Sequence, residues 1–334
     1  MTAAPPPAAP VTADTRPAAT VTAEPAPRLA GPSVIVAQRT VRQDELRVPN
    51  VLIAGVTHAG ASDLAAVLTR HPEIKAPVAK RIDHFTPMRY GRAVEAPVCD
   101  YDRHFASWSG QRYRLESSPV YFDGGRALVN AVARDLAGVR VLILLRDPAE
   151  RLWTSFQDKV TRGRLPRAMT YESFVDRCLS LRANGADRFE GNRYFRTMSS
   201  GFYVEHLTGW LDTFGRRVRV VFAEDLAQDA ETNLLALHDW LGLEPYTQPD
   251  APTGGAGSDG ADAALQTFEA ATGRRWPLGP GAALVRRVTR TRVPRQSDRV
   301  RNRVETLYAG ANRELAAVLR DRGYTALPEW LASA

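Results

Sequence analysis

NVLIAGVTHAGASDLAAVLTRH, residues 50–71, decides how the rest of the chain is read. NVLIAG, at 50–55, is a short apolar run ending in glycine, the pattern of a strand buried on both faces. ASDLAAVLTRH, at 61–71, carries apolar residues at helical spacing. Between them lies Gly55-Val56-Thr57-His58-Ala59-Gly60. Such a strand–loop–helix unit is suited to a phosphate. The backbone N–H groups of Thr57, His58, Ala59, Gly60, Ala61 and Ser62 can converge where the helix dipole favours an anion, and the Ser62 hydroxyl adds a donor. The spacing G-x-x-x-x-G also opens a Walker A loop, but Ala61 stands where that motif requires Lys, which weakens an ATP- or GTP-cleaving reading. A tight turn without any ligand satisfies the same spacing, so the loop alone does not choose.

The alternation continues outward from this unit. VRVLILL (139–145) precedes Arg146-Asp147-Pro148 and a helical stretch. VRVVF (218–222) precedes AEDL and the amphipathic ETNLLALHDWLGL (231–243), and VETLYAGANRELAAVLRDRG (304–323) reads as the final helix. Continuous apolar strands alternating with helices predict an α/β fold, a P-loop-like central parallel sheet covered by helices on both faces. APTGGAGSDGAD (251–262) has the composition of a surface loop. In the Ala/Pro-rich residues 1–45, Pro interrupts each apolar run and the first basic residue is Arg16, which argues against a secretory signal. That segment is read as a disordered tail and residues 46–334 as one domain.

Composition sets outer bounds. The 334 residues are 44% hydrophobic and 24% charged, enough apolar material for a core. Forty-four basic against 37 acidic side chains give a net charge of +7, which favours anionic ligands without naming one. No run approaches the ~20 apolar residues of a membrane span. Cys99 and Cys178 stand far apart with no C-x-x-C spacing, which predicts no metal site and a reducing, cytoplasmic setting.

The second chemical stretch is LILLRDPAERLWTSF, residues 142–156. Arg146 follows a buried strand directly, and Pro148 opens a helix at the position Pro favours. Thr154 lies eight residues on, two turns into that helix. A planar guanidinium and a hydroxyl so placed can grip one phosphate. An ordinary surface arginine paired to Asp147 or Glu150 fits the same residues.

Taken together these stretches resemble the sulfotransferase family, in particular the branch of heparan sulfate N- and O-sulfotransferase domains and their bacterial relatives. The resemblance rests on Arg146, Asp147, Pro148 and Arg151 of an R-D-P-x-x-R…S segment, with Thr154 at the Ser position and Ser155 beside it. RLESSPVYF (114–122), SGFYVEHLTGWLDTFG (200–215), VRVVFAEDLAQDAETNLLALHDWLGL (218–243) and LYAGANRELAAVL (307–319) match further segments in order. It implies that the chain moves a sulfuryl group from 3′-phosphoadenosine 5′-phosphosulfate to a hydroxyl or amine of a carbohydrate or small-molecule acceptor. No metal is implied. By the same resemblance, residues 57–62 hold the 5′-phosphosulfate, and Arg146, Thr154 and Ser155 hold the 3′-phosphate.

Two positions depart from the family pattern. The loop has His58 where the family usually carries Lys, so His58 is expected to assist the leaving phosphate as an imidazolium. In AKRIDHFTP (79–87), Arg81 follows Lys80 where the family often has a catalytic Glu. Asp83 and His84 come next as candidate bases, with Glu116 a third. The basic run RRVTRTRVPRQSDRVRNR (286–303) reads chiefly as a solvated face. It lacks aromatic interleaving, which argues against nucleic acid as a partner. A P-loop nucleotide kinase and a non-catalytic nucleotide- or polyanion-binding protein of the same fold stay open as alternatives.

Overall fold

The computed structural model describes residues 47–79, 81–246 and 297–332. The Ala/Pro-rich tail, Lys80, the 251–262 loop and the basic run before Ser297 lie outside the described residues.

Five strands, β1 (Val51–Gly55), β2 (Ile74–Lys75), β3 (Tyr113–Ser117), β4 (Arg140–Leu145) and β5 (Val218–Phe222), form one sheet in the order β2-β3-β1-β4-β5. Every pairing is parallel, with Val51 opposite Leu115 on one side and Arg140 on the other. All five residues of β1 and the last five of β4 are buried. Successive strand residues point to opposite faces, so both faces are covered. The helices are α1 (Ala61–Leu68), α2 (Gly125–Asp135), α3 (Pro148–Thr161), α4 (Tyr171–Ala183), α5 (Tyr203–Phe214), α6 (Ala223–Gln228), α7 (Ala230–Leu241), α8 (Asp298–Asp321) and α9 (Glu329–Ala332). Full burial of an aliphatic side chain contributes roughly 1.5–3 kcal/mol, which makes β1 and β4 a stiff base for the loops at their ends.

The strand order places the crevice. From β1 the chain runs outward to β2, returns to β3 beside β1, then crosses to β4 on the other side of β1. Loops leaving the carboxyl ends therefore diverge around β1, the place where open parallel sheets bind ligands. The turn after β4 is fixed locally. Asp147 caps α3, its carboxylate accepting the N–H groups of Ala149 (2.8 Å) and Glu150 (3.4 Å), and Pro148 fills the first helical position. α3 is then clamped by an apolar cluster in which Leu152, Phe156 and Val160 meet Phe174 and Val175 of α4 and Val304 of α8.

The strands and helices read from apolar runs are present. β2, α2, α4, α6 and α9 were not predicted, and β3 was met only as part of the RLESSPVYF segment. β3 breaks the apolar-run rule because one of its fully buried positions is a carboxylate, Glu116. α8 begins six residues before the expected 304, capped by the Ser297 hydroxyl, which accepts the Val300 N–H at 3.4 Å. The described end of the basic run is thus helix surface, with Arg301 paired to Glu150 and Glu305 and Arg303 to Asp176.

Candidate active site

The loop after β1 is shaped by what cannot fit there. A Cβ on Gly55 would lie 2.7 Å from the Phe122 Cβ, so only glycine lets the strand pass that ring. Gly60 has φ +98° and hands the chain to α1. His58 has φ +65°, a left-handed conformation uncommon for a residue with a side chain. Two arginines explain how it is held. Arg151 donates to the Thr57 carbonyl at 3.3 Å and Arg146 to the His58 carbonyl at 3.5 Å. In a trans peptide the C=O and the next N–H point opposite ways. With the Thr57 carbonyl turned to Arg151, the His58 N–H faces away from α3. Among the described residues no acceptor takes the N–H groups of Thr57, His58, Gly60, Ala61 or Ser62, while that of Ala59 returns to the Val56 carbonyl at 3.2 Å.

Arg146 and Thr154 are brought together as expected. The Arg146 guanidinium donates to Thr154 Oγ1 at 3.1 Å and is 8% exposed. Its backbone is pinned as well: Tyr203 donates its hydroxyl to the Arg146 carbonyl at 2.7 Å, and Glu224 accepts the Asp147 N–H at 2.8 Å. Ser155 is not brought to them. It is fully buried, its hydroxyl taken by Thr197 at 2.9 Å and by Lys159. The cause is helical phase: one residue after Thr154 turns about 100° away, toward Thr197.

Lys159 is the functional candidate that the sequence reading missed. It is buried, with its ammonium on Ser155 Oγ and 5.9 Å from the Phe174 ring. Burial first, then the Arg151 charge, lower its pKa to about 7, a nearby Cys178 and Asp158 working the other way. The available signal was a lysine on the apolar stripe formed by Leu152, Phe156 and Val160, where a charge has no ordinary reason to sit. Arg151 is fully buried too, bonded to the Thr197 carbonyl at 2.7 Å and lying over the Tyr203 ring. α3 therefore turns Arg151 and Lys159, with Arg146 just before it, toward the ground beneath the loop.

His58 sits at the rim of this cluster. Its Nε2 lies 3.4 Å from Asp158 Oδ2, and its Nδ1 is buried without a partner. Burial lowers its pKa to about 4 against the pull of Asp158, with the Lys159 and Arg151 charges adding to the fall. The imidazole is therefore neutral at pH 7, with the proton on the nitrogen facing Asp158. The imidazolium expected from the sequence is that of the donor-bound protein; without a bound anion the positive charge nearby is carried by the cluster below.

The acceptor-side candidates gather at the end of β3. The Ser118 N–H bonds the Ile53 carbonyl of β1 at 3.0 Å, and Ser118 Oγ accepts the Asp83 N–H at 3.3 Å. Asp83, at φ +53°, gives both carboxylate oxygens to the Arg81 guanidinium at 3.0 and 3.2 Å. His84 carries no such partner. Its ring packs on Phe85 and Tyr101 at 4.8 and 4.7 Å and lines a cavity of about 340 Å³ with Ile82, Val94, Arg92 and Arg103. Burial lowers its pKa, so it is neutral at pH 7. Glu116, the third candidate, is fully buried, and its oxygens are occupied by the hydroxyls of Ser118 (2.7 Å), Tyr121 (2.8 Å) and Tyr101 (2.9 Å). The structure does not expose it to an acceptor.

No family model matches the chain. The bifunctional heparan sulfate N-deacetylase/N-sulfotransferase 1 of Caenorhabditis briggsae is 26% identical over 208 residues, covering 60% of this chain and 23% of that protein. The human heparan sulfate glucosamine 3-O-sulfotransferase 3B1 is 25% identical over 201 residues, covering 59% and 47%. The matched part is therefore less than half of either relative. A sulfotransferase from Alicyclobacillus acidocaldarius shares the fold at a TM-score of 0.52 and 22% identity, over 68% of this chain and 97% of that one. In sequence the chain is thus similar to the sulfotransferase parts of these proteins, and in fold to a sulfotransferase. Its loop carries His58, and its buried lysine, Lys159, stands on α3. Among the described residues no helix is long and apolar enough to cross a membrane.

Proposed function

We propose that the chain transfers a sulfuryl group from 3′-phosphoadenosine 5′-phosphosulfate to a hydroxyl or amine of a carbohydrate or small-molecule acceptor, with residues 46–334 as the catalytic domain. The observation that carries this reading is the contact of Arg146 with Thr154 beside the His58 carbonyl, which joins both phosphate-binding segments in one crevice. The residues fit such a donor. Arg146, Arg151 and Lys159 are buried together, and five loop N–H groups lack acceptors among the described residues. An anion in the crevice offsets the cost of burying the Arg151 and Lys159 charges.

When bound, the donor supplies an activated sulfuryl group and a bisphosphate that departs with negative charge. The chain's own residues hold and orient. The N–H groups of residues 57–62 and the Ser62 hydroxyl bind the 5′ end, and Arg146 with Thr154 binds the 3′-phosphate. Arg151 acts through the Thr57 carbonyl, keeping the loop N–H groups aimed at the anion. His58 adds its Nδ1 as a donor once it is protonated, and Asp158 retains the proton on Nε2. His84, neutral at pH 7 and facing the cavity, takes the acceptor proton. Asp83 is held by Arg81 and orients the segment. Sulfuryl transfer with such an arrangement is mainly positioning and charge stabilisation. The two free cysteines, Cys99 exposed and Cys178 buried, support a reducing, cytoplasmic setting.

Calorimetry tests the reading. Adenosine 3′,5′-bisphosphate should bind tightly and ATP weakly. ATP binding in preference would favour a nucleotide kinase, and binding of neither would leave a polyanion-binding protein.

A further inference from the structure

A fully buried carboxylate inside a parallel strand is costly, and an aliphatic residue would fill the same place at far less expense. Glu116 occupies that place on β3 with no guanidinium or ammonium against it, only three hydroxyls. Burial raises the Glu116 pKa to about 7 against the pull of these hydroxyls, and in its ionised form the carboxylate accepts and never donates, so each hydroxyl points its proton at Glu116 and turns its lone pairs outward. Two of them use those lone pairs on one short segment. Ser118 Oγ accepts the Asp83 N–H at 3.3 Å, and the Tyr121 hydroxyl accepts the Phe85 N–H at 3.0 Å. The third hydroxyl belongs to Tyr101, whose ring lies 4.7 Å from the His84 ring. All three lines run from Glu116 to residues 83–85. Asp83 needs such support, because it keeps a left-handed φ of +53°.

We propose that Glu116 is the positioning residue of the acceptor side, setting the donor direction of Ser118, Tyr121 and Tyr101 and through them the placement of Asp83, His84 and Phe85. The inference rests on the reading of His84 as the base. Glu116 touches no acceptor. It fixes where the base stands, and a displacement of about 1 Å at such a site costs about 10²-fold in rate.

The test compares Glu116→Ala, Glu116→Gln and Ser118→Ala. Glu116→Ala removes all three anchors. It should speed amide exchange at Asp83 and Phe85 by about tenfold or more and lower turnover by about 10²-fold, with bisphosphate affinity within about twofold of the parent. Glu116→Gln keeps a carbonyl for Ser118 and Tyr121 and changes only the partner of Tyr101, so it should restore amide protection and most of the turnover. Ser118→Ala leaves the carboxylate in place, guards against a misfolded alanine variant, and should expose the Asp83 amide while sparing that of Phe85. Parental exchange at both amides in Glu116→Ala, or parental turnover in Ser118→Ala, overturns the proposal. A parent that binds no bisphosphate would instead overturn the proposed activity, while the exchange measurements still report on the anchor.

Discussion

The two sides of the crevice hold their working groups by opposite means. On the donor side, charge is brought in from below: Arg146, Arg151 and Lys159 come from the β4–α3 unit, and the two arginines grip the loop by its carbonyls. On the acceptor side, Asp83–Phe85 has no regular secondary structure of its own and is hung from hydroxyls that converge on Glu116. The donor side is thus built to meet a fixed, highly charged ligand. The acceptor side is built for placement, with little net charge of its own to select a partner. Removing a group should therefore cost binding on one side and turnover on the other.

The largest effect is expected at His84. His84→Ala should lower turnover roughly 10²–10⁴-fold, the usual contribution of a positioned base, with bisphosphate affinity unmoved. Asp83→Asn keeps the shape of the segment but weakens the Arg81 pair, and should cost less. The measurement is turnover at saturating donor together with calorimetry. If Asp83→Asn proves the slower variant, the two residues exchange roles and Arg81 becomes the group that must release the base.

The next effect belongs to the donor side. Arg146→Ala should weaken bisphosphate binding about ten- to a hundredfold, the range for a lost charged hydrogen bond of about 1.5–3 kcal/mol. Thr154→Ala removes a neutral partner worth about 0.5–1.5 kcal/mol and should weaken it only several-fold. Titration calorimetry on both variants checks the order. Equal losses would mean that Thr154 serves Arg146 more than it serves the ligand.

These two sides were not equally legible in the sequence. β1, β4 and β5 showed as apolar runs because parallel strands are buried on both faces. Arg146 and Thr154 were readable because their spacing on a Pro-opened helix allows a shared phosphate and the resemblance of the R-D-P-x-x-R segment chose that over a surface arginine. Ser155 was carried along by adjacency, and only the helical phase separates it from Thr154. Lys159 went unread because its one signal, a place on the apolar stripe of Leu152, Phe156 and Val160, shows only when the helix is laid out by face. The acceptor side was readable only as a set of candidates, Asp83, His84 and Glu116. Their roles depend on which residue Arg81 pairs with and which side chain the hydroxyls of residues 101, 118 and 121 meet. Arg81 and Asp83, like Ser118 and Glu116, are neighbours in sequence, but the bonds from Ser118 and Tyr121 to the amides of Asp83 and Phe85 join distant segments, and no local pattern encodes them.

His58 should produce a smaller, pH-dependent effect. Its pKa is lowered to about 4 by burial first and by Lys159 and Arg151 next, against Asp158. A bound anion favours the imidazolium, so the complex takes up a proton that the free protein does not hold. Affinity should then rise as pH falls from about 6.5 toward the low pKa. Titration of the ligand's own phosphates is common to parent and variant, so the comparison is the difference in slope against His58→Ala. Identical slopes would leave His58 as a loop residue with no electrostatic part. His58→Lys, which restores the family's usual group, should bind with a flatter slope because its charge persists to higher pH.

Lys159 gives the smallest expected change and the sharpest test of the contrast. Its folded pKa is lowered from 10.5 to about 7, chiefly by burial. A group with a depressed folded pKa binds more protons in the unfolded chain between the two values. Stability from this group therefore rises with pH from about 7 to 10.5 and is absent below 7. At neutral pH and below, the buried ammonium is a net cost, so Lys159→Met, which keeps the volume and drops the charge, should raise Tm by a few degrees at pH 6–7. The gain should shrink as pH climbs toward 10. The same variant should bind the bisphosphate several-fold more weakly, because one of the cations beneath the loop is gone. Higher Tm with lower affinity is the signature of a charge held in place for a ligand. If Lys159→Met loses stability at every pH and binds as the parent does, Lys159 belongs to the packing of α3 on α4. The donor side would then rest on its two arginines.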